Sequence, residues 1–181
     1  MKKIMFNDKY GLTQAVLEGR KTQTRRMFLK PGEETLLHGV TPEYLISSQS
    51  RYKVGETVAI AQSYADITPQ LDWVKCMIRK EKIGWNNKMF VRAEDMPHHI
   101  RITKIRIERL QNIKSEDCLN EGIWKAGDVG LEGTTYWYHG LANSSFRTPQ
   151  EAYASLIDRI SGKGTWATNP YVFVYDFELI N

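Results

Sequence analysis

The sequence predicts an α+β chain, mainly β, built as a small mixed or partly closed barrel decorated by short helices. Three observations carry this expectation. Tyr171 to Leu179 alternates large apolar side chains as a strand does, the isoleucines between Ile100 and Ile107 keep strand spacing but change phase midway, and three short segments carry helix start or stop signals. A chain of 181 residues can bury roughly 70% of its unfolded surface. One domain over residues 1–181 is expected, with insertions near 30–50 and 125–147.

Lys3 to Phe6 reads as a short strand. Asp8 is expected to cap the helix that follows, whose apolar positions Leu12, Ala15 and Val16 fall at helical spacing, and Gly19 supplies the stop. From Thr22 on, an extended segment sets Thr22, Thr24 and Arg26 against Gln23 and Arg25. Residues 30–53 contain Pro31, Gly32, Gly39 and Pro42 with weak periodicity and read as a long surface connection. The turn from Tyr52 to Glu56 feeds Val58 to Ala61, a buried strand. Trp73 to Ile78 and Met89 to Ala93 read as two more strands, joined by the turn-rich Gly84 to Asn87.

In the next strand Ile100 and Ile102 share one phase and Ile105 and Ile107 the other, so a β-bulge near Thr103 and Lys104 is needed to keep all four inward. Ser115 is placed to cap a short helix from Glu116 to Glu121, which Gly122 ends. Residues 125–147 are rich in Gly, Thr, Ser and Asn around Tyr136, Trp137 and Tyr138; a connection of that length is a lid over a site or is disordered. Thr148, Pro149, Gln150 and Glu151 form a capping box with proline at the first helical position. Its helix carries Ala152, Tyr153, Leu156, Ile157 and Ile160 on one face, and Gly162 ends it. In the last strand Tyr171, Phe173, Tyr175, Phe177 and Leu179 point one way, and Val172 and Val174 the other.

The 25 basic and 21 acidic residues leave a net charge of +4, unevenly placed, since residues 1–53 hold ten Lys or Arg against five acids. A positive end suits a polyanion or a phosphorylated small molecule, or is a solvated basic face. Cys76 and Cys118 have no paired spacing, adjacent His98 and His99 point to opposite sides of a strand, and Asp66, Asp72 and Asp95 lack ligand spacing. No metal, disulfide framework or other cofactor is expected. No window approaches the roughly 18 apolar residues of a membrane span, and Met1 to Phe6 lacks a signal-peptide core, so a cytoplasmic protein without a membrane partner is expected.

The most unusual stretch is Gly19, Arg20, Lys21, Thr22, Gln23, Thr24, Arg25, Arg26, with four cations, three polar side chains and no carboxylate. Such a composition belongs at a surface or in a cleft, where Lys21 and Thr24 can converge on one small ligand.

The succession of GRKTQTRR, the turn YKVGE with its apolar strand, IERLQNIKSEDCLNEGI and a final WATNPYVFVYDFEL resembles the ASCH domain family of PUA-like β-barrels, in particular its longer phage and prophage versions. The resemblance covers most of the chain and leaves 30–50 and 125–147 as poorly matched insertions. It implies a five- or six-stranded barrel with flanking helices and a cleft suited to a nucleobase or a stretch of RNA. A smaller bacterial branch of that family consists of amidohydrolases that remove the acetyl group of N(4)-acetylcytidine, using a lysine and a threonine of GRKTxT and a glutamate at a short helix end. By that resemblance the catalytic candidates are Lys21, Thr24 and Glu121. The extra length and the second arginine after Thr24 resemble the phage-type group instead, for which the alternative is a non-catalytic RNA- or DNA-binding module with a regulatory or assembly role.

In a site of this kind Thr24 attacks or positions a water, Lys21 takes a proton if its amine is neutral, and Glu121 relays protons to the leaving amine. A lysine near its ordinary pKa of about 10.4 is a poor base, but neighbouring arginines push it down. Arg20, Arg25 and Arg26 are the phosphate- or nucleic-acid-binding candidates, with Arg25 and Arg26 as the outward half of the motif. For stacking on a base, Trp166, Tyr64 and Trp137 sit in or beside loops, whereas Tyr171, Phe173 and Tyr175 are core. The expected partner is RNA or a modified nucleoside, or else DNA.

Overall fold

The structure, a computed structural model, describes residues 1–29, 38–71, 77–78, 80, 83–127, 133–141 and 145–180. Five strands make one mixed sheet in the order β1 (Lys2–Ile4), β3 (Thr57–Ile60), β4 (His99–Arg109), β7 (Tyr171–Ile180), β2 (Gln23–Met27). β1 runs parallel to β3, and the other ladders are antiparallel. A separate hairpin pairs β5 (Trp124–Ala126) with β6 (Thr135–Trp137). The helices described from end to end are α1 (Leu12–Leu17), α2 (Pro42–Gln49), α3 (Ser115–Asn120), α4 (Pro149–Ser161) and α5 (Thr165–Thr168).

The α+β content matches the expectation. Closure of a barrel does not, because β1 and β2 are the two edges of the sheet and no backbone ladder joins them among the described residues. A side chain spans the seam instead: Arg26 Nη2 donates to Met5 O at 2.6 Å, just past β1.

The bulge sits where the isoleucine phases require it. Ile102 opposes Phe177, Lys104 opposes Asp176 and Ile105 opposes Tyr175, so Thr103 is the extra residue. β7 is buried on both faces from Val172 to Tyr175, as its unbroken apolar start demands. Residues paired across an antiparallel ladder share a face. Thr24 and Arg26, opposite Tyr175 and Phe173, therefore lie on one face, and Gln23 and Arg25, opposite Asp176 and Val174, on the other.

α4 starts at a complete capping box: Thr148 accepts from the Glu151 N–H, and the Glu151 side chain accepts from the Thr148 N–H. It buries Ala152, Tyr153, Leu156 and Ile157 against β7 and α3 elements of the main core. Truncating one of these, such as Leu156, to alanine is worth about 2–5 kcal/mol. A smaller core gathers Ala59, Ala61, Tyr64, Ile67, Val91, Ala93 and Met96 behind β3.

Several local expectations are corrected. Asp8 does not cap α1: it opens a single 3₁₀ turn, Gly11 takes the N-cap position, and the Asp8 carboxylate accepts from Thr13 Oγ1 at 2.5 Å. Ser115 is the first residue of α3 rather than its cap; its hydroxyl accepts from Gln150 Nε2. Met89 to Ala93 is not a strand, because the Asn87 side chain captures the Met89 N–H and closes a 3₁₀ turn over Lys88–Phe90, with a second over Ala93–Asp95. The expected strand from Trp73 to Ile78 falls mostly outside the described residues, as do Asp72 and Cys76. The first insertion contains α2, whose Thr41 cap and Pro42 start repeat the signal at Thr148 and Pro149. The second holds the β5–β6 hairpin and a fully buried Tyr138 packed edge-on against Tyr10.

Candidate functional site

The basic octet turns out of α1 sharply. Gly19 adopts φ +71°, and the backbone N–H groups of Arg20 and Lys21 both return to Ala15 O. Thr22 is then pinned between Asn120 O, which its N–H reaches, and the Phe177 N–H, which its carbonyl accepts. These bonds turn the Lys21 side chain inward toward the end of α3, where Glu121 is the C-cap residue. Gly122 follows at φ +102°, a conformation that residues with a Cβ rarely adopt, and a Cβ there would press on Leu12 Cδ2 at 3.1 Å, so glycine suits this close pass under α1.

Lys21 and Glu121 meet at the wall of a cavity of about 390 Å³. Lys21 Nζ donates to Glu121 Oε2 at 2.6 Å, to Glu121 O at 2.9 Å and to Gln23 O at 2.7 Å. Both side chains are buried, at 1% and 5% exposure. Thr24 and Arg26 line the same cavity, with Phe6 and Tyr153 as its aromatic walls. Among the described residues no hydrogen bond occupies the Thr24 hydroxyl, so it is available to a ligand.

Burial pushes the Lys21 ammonium below its ordinary pKa; Glu121 beside it opposes that, and Arg26 and Arg25 add to it. The direction agrees with the sequence expectation, but desolvation rather than the arginines is its main cause. Arg20 takes no part: it pairs with Glu18 at 2.6 Å and lies 3.8 Å over the Trp124 ring.

Arg25 is not part of an outward-facing pair with Arg26. The two-residue period of β2 sends it to the opposite face, where its side chain has no exposure and reaches Glu108 at 2.6 Å, Asp117 at 3.0 Å and Glu121 at 3.2 Å, besides Gln23. Burial alone lowers its pKa, yet the Glu121 and Glu108 carboxylates carry it above the ordinary arginine value. Its role is to fix Glu121 Oε1 while Lys21 holds Oε2. Arg26 is exposed, as expected, and its guanidinium has no carboxylate partner among the described residues.

None of the three expected stacking residues lines this cavity. Tyr64 is buried in the smaller core, its hydroxyl bonded to Asp95 and to the Arg92 N–H. Trp166 packs edge-on against Tyr153, and its backbone N–H donates to Asp158 Oδ1. Trp137 stacks on Trp124 at 5.1 Å in the hairpin. The large aromatic residues near loops were the ones that found partners within the fold. Phe6 and Tyr153 replace them; the sequence places Tyr153 on the apolar face of α4, and only the tertiary packing turns it toward Glu121. Burial and the Glu121 charge raise the Tyr153 pKa well above its usual value, so it is a neutral phenol beside the pair.

Among the described residues no group of three His, Cys, Asp or Glu side chains is placed to hold a metal ion, and no helix is long and apolar enough to cross a membrane.

No family model matches this chain, and no curated protein matches it. A solved structure, protein EF3133 from Enterococcus faecalis V583 with family model DUF984, aligns at 16% identity over 99% of this chain and 80% of its own, with a TM-score of 0.42. A likeness that weak carries over neither fold nor function.

Proposed function

We propose that the protein hydrolyses the amide of an acylated nucleobase, N(4)-acetylcytidine being the type substrate, and that its sheet is a PUA-like barrel left open at the β1–β2 seam. The observation that carries this reading is the buried contact of Lys21 Nζ with Glu121 Oε2 at 2.6 Å in a cavity that Thr24 also lines. A volume of about 390 Å³ lies at the lower end of the roughly 300–1,000 Å³ of small-molecule sites, as a single nucleoside requires.

At rest Lys21 has three acceptors for its three N–H groups, which describes an ammonium. Burial lowers its pKa and brings the neutral pair within reach: a proton passed along the contact with Glu121 leaves a free amine and a neutral acid. The amine takes the proton of the Thr24 hydroxyl, or of a water that Thr24 holds, as that oxygen attacks the acyl carbon. Glu121 gives its proton to the departing N4 amine, and the C–N bond breaks. On the Thr24 route Lys21 returns its proton to Glu121; a water then attacks the acyl ester as Lys21 takes the water proton, the ester C–O bond breaks, and Glu121 gives its proton to the departing Thr24 oxygen. The exposed guanidinium of Arg26, one of the cationic groups that line the cavity with Lys21 and Arg25, serves as a donor for the developing oxyanion.

A second reading, binding without hydrolysis, draws on the same three acceptors, which fit a Lys21 that keeps its proton and serves as a fixed cation. Incubation with N(4)-acetylcytidine followed by chromatography separates the two. The hydrolase reading predicts cytidine; no cytidine above a Thr24→Ala control leaves binding alone.

A further inference from the structure

A second cavity, of about 290 Å³, opens on the other side of the Arg26 bridge. Met5, Arg26 and Met27 line both cavities, so the two lie along one seam between β1 and β2 and share these three residues as their common wall. The second is bordered by Lys3, Arg26 and Arg51, with no carboxylate in its wall among the described residues, and by the rings of Phe28, Tyr52 and Phe173. Lys3 is already spent on Met89 O and Val91 O, at 2.7 and 2.6 Å. Arg51 is exposed and lies 5.6 Å from the Tyr52 ring, and neither it nor Arg26 has a carboxylate partner among the described residues. The first insertion helps to build this wall, for Gln49 at the end of α2 and Arg51 just beyond it both border the cavity.

We infer that this second cavity binds the phosphate and the neighbouring nucleotide of a strand whose acylated cytidine occupies the first. The inference rests on the reading of the first cavity as a cytosine site. Two guanidiniums without counter-charges provide planar forks for a phosphate, and aromatic walls behind them suit a base. Arg26, on the boundary, is where the linking phosphate of a strand threading the seam must pass. The substrate class is thus a phosphorylated one, a nucleotide or an oligoribonucleotide, in preference to the free nucleoside.

The test is calorimetric titration of the full chain with three unreactive probes: cytidine, cytidine 5′-monophosphate and the dinucleoside monophosphate CpC. It needs no hydrolysis, so it can fail while the hydrolase reading survives, and the converse. CpC is expected to bind at least tenfold more tightly than cytidine, with the advantage shrinking as salt rises and lost in Arg51→Ala, while cytidine binding is unchanged in that variant. Lys163→Ala, an exposed cation bordering neither cavity, is expected to leave all three affinities as they are. If the monophosphate gains as much as CpC, the phosphate alone is read and the neighbouring nucleotide is not. Equal affinity for cytidine and CpC, an Arg51→Ala effect on cytidine itself, or an equal loss in Lys163→Ala overturns the subsite.

Discussion

Lys21 Nζ lies 2.6 Å from Glu121 Oε2, although the two residues are a hundred positions apart in the chain. The contact joins the turn after α1 to the end of α3, and Arg25 holds the other carboxylate oxygen at 3.2 Å. One carboxylate between two buried cations makes the pair a structural device as well as a chemical one, and its parts are separable by substitution.

Glu121→Ala leaves Lys21 and Arg25 without their shared carboxylate. Breaking a buried pair from one side is worth about 3–5 kcal/mol. Lys21→Met leaves Glu121 still paired with Arg25 and is expected to destabilise less. Urea denaturation of both variants checks the order, which reverses if Lys21 rather than Arg25 is the main support of Glu121.

Thr24→Ala is expected to remove activity with a loss of stability of about 1 kcal/mol, the value of one buried methyl-sized group, because no described residue bonds to the hydroxyl. Thr24→Ser keeps an oxygen in place and should retain hydrolysis. An alanine variant as active as the wild type would remove Thr24 from the chemistry.

Arg25 and Arg26 are neighbours in sequence with opposite expected phenotypes. Arg25→Ala removes the buried cation that Glu108, Asp117 and Glu121 share, leaving the first two to Arg106 and the third to Lys21, and should unfold at clearly lower denaturant. Arg26→Ala should change the denaturation midpoint little but weaken nucleotide binding and flatten its salt dependence. Similar stability losses in both would contradict the two-face placement of β2.

That contrast marks what was legible in the sequence. Strand periodicity puts Arg25 and Arg26 on opposite faces, but the acids waiting on one face come from β4 and α3, and no local pattern announces them. The bulge at Thr103, the α4 capping box and the burial of β7 were legible because each is written in adjacent residues. The octet's composition singled out Lys21 and Thr24, but their catalytic roles and Glu121 as their partner were named through motif resemblance. Tyr153, Phe6 and the Arg26 bridge to Met5 were not foreseen, since they depend on which edges of the sheet come to face each other.

Alkaline pH offers a check on the core beneath the site. Burial raises the Cys118 pKa from 9.0 to about 12. Below pH 9 the thiol is protonated in both states and contributes nothing. Between 9 and 12 the unfolded chain releases the proton while the folded chain keeps it, so stability falls as pH rises, by up to about 1.4 kcal/mol per pH unit. Lys21, whose folded value is lowered, acts in the opposite sense as pH approaches 10.5, and Tyr153 and Tyr52 in the same sense as Cys118. Comparing wild type with Cys118→Ala cancels those shared contributions. The stability difference should shift against the wild type above pH 9, and a pH-independent difference contradicts the buried thiol.

The most direct measurement is cytidine release from N(4)-acetylcytidine by wild type and Lys21→Arg side by side, with denaturation confirming that both are folded. Arginine keeps the positive charge beside Glu121 but does not give up its proton. The account predicts hydrolysis by the wild type and a rate lower by about 10²–10⁴ in the variant, the usual worth of a positioned acid or base. Release by Lys21→Arg at nearly the wild-type rate, or no release by either protein, contradicts it.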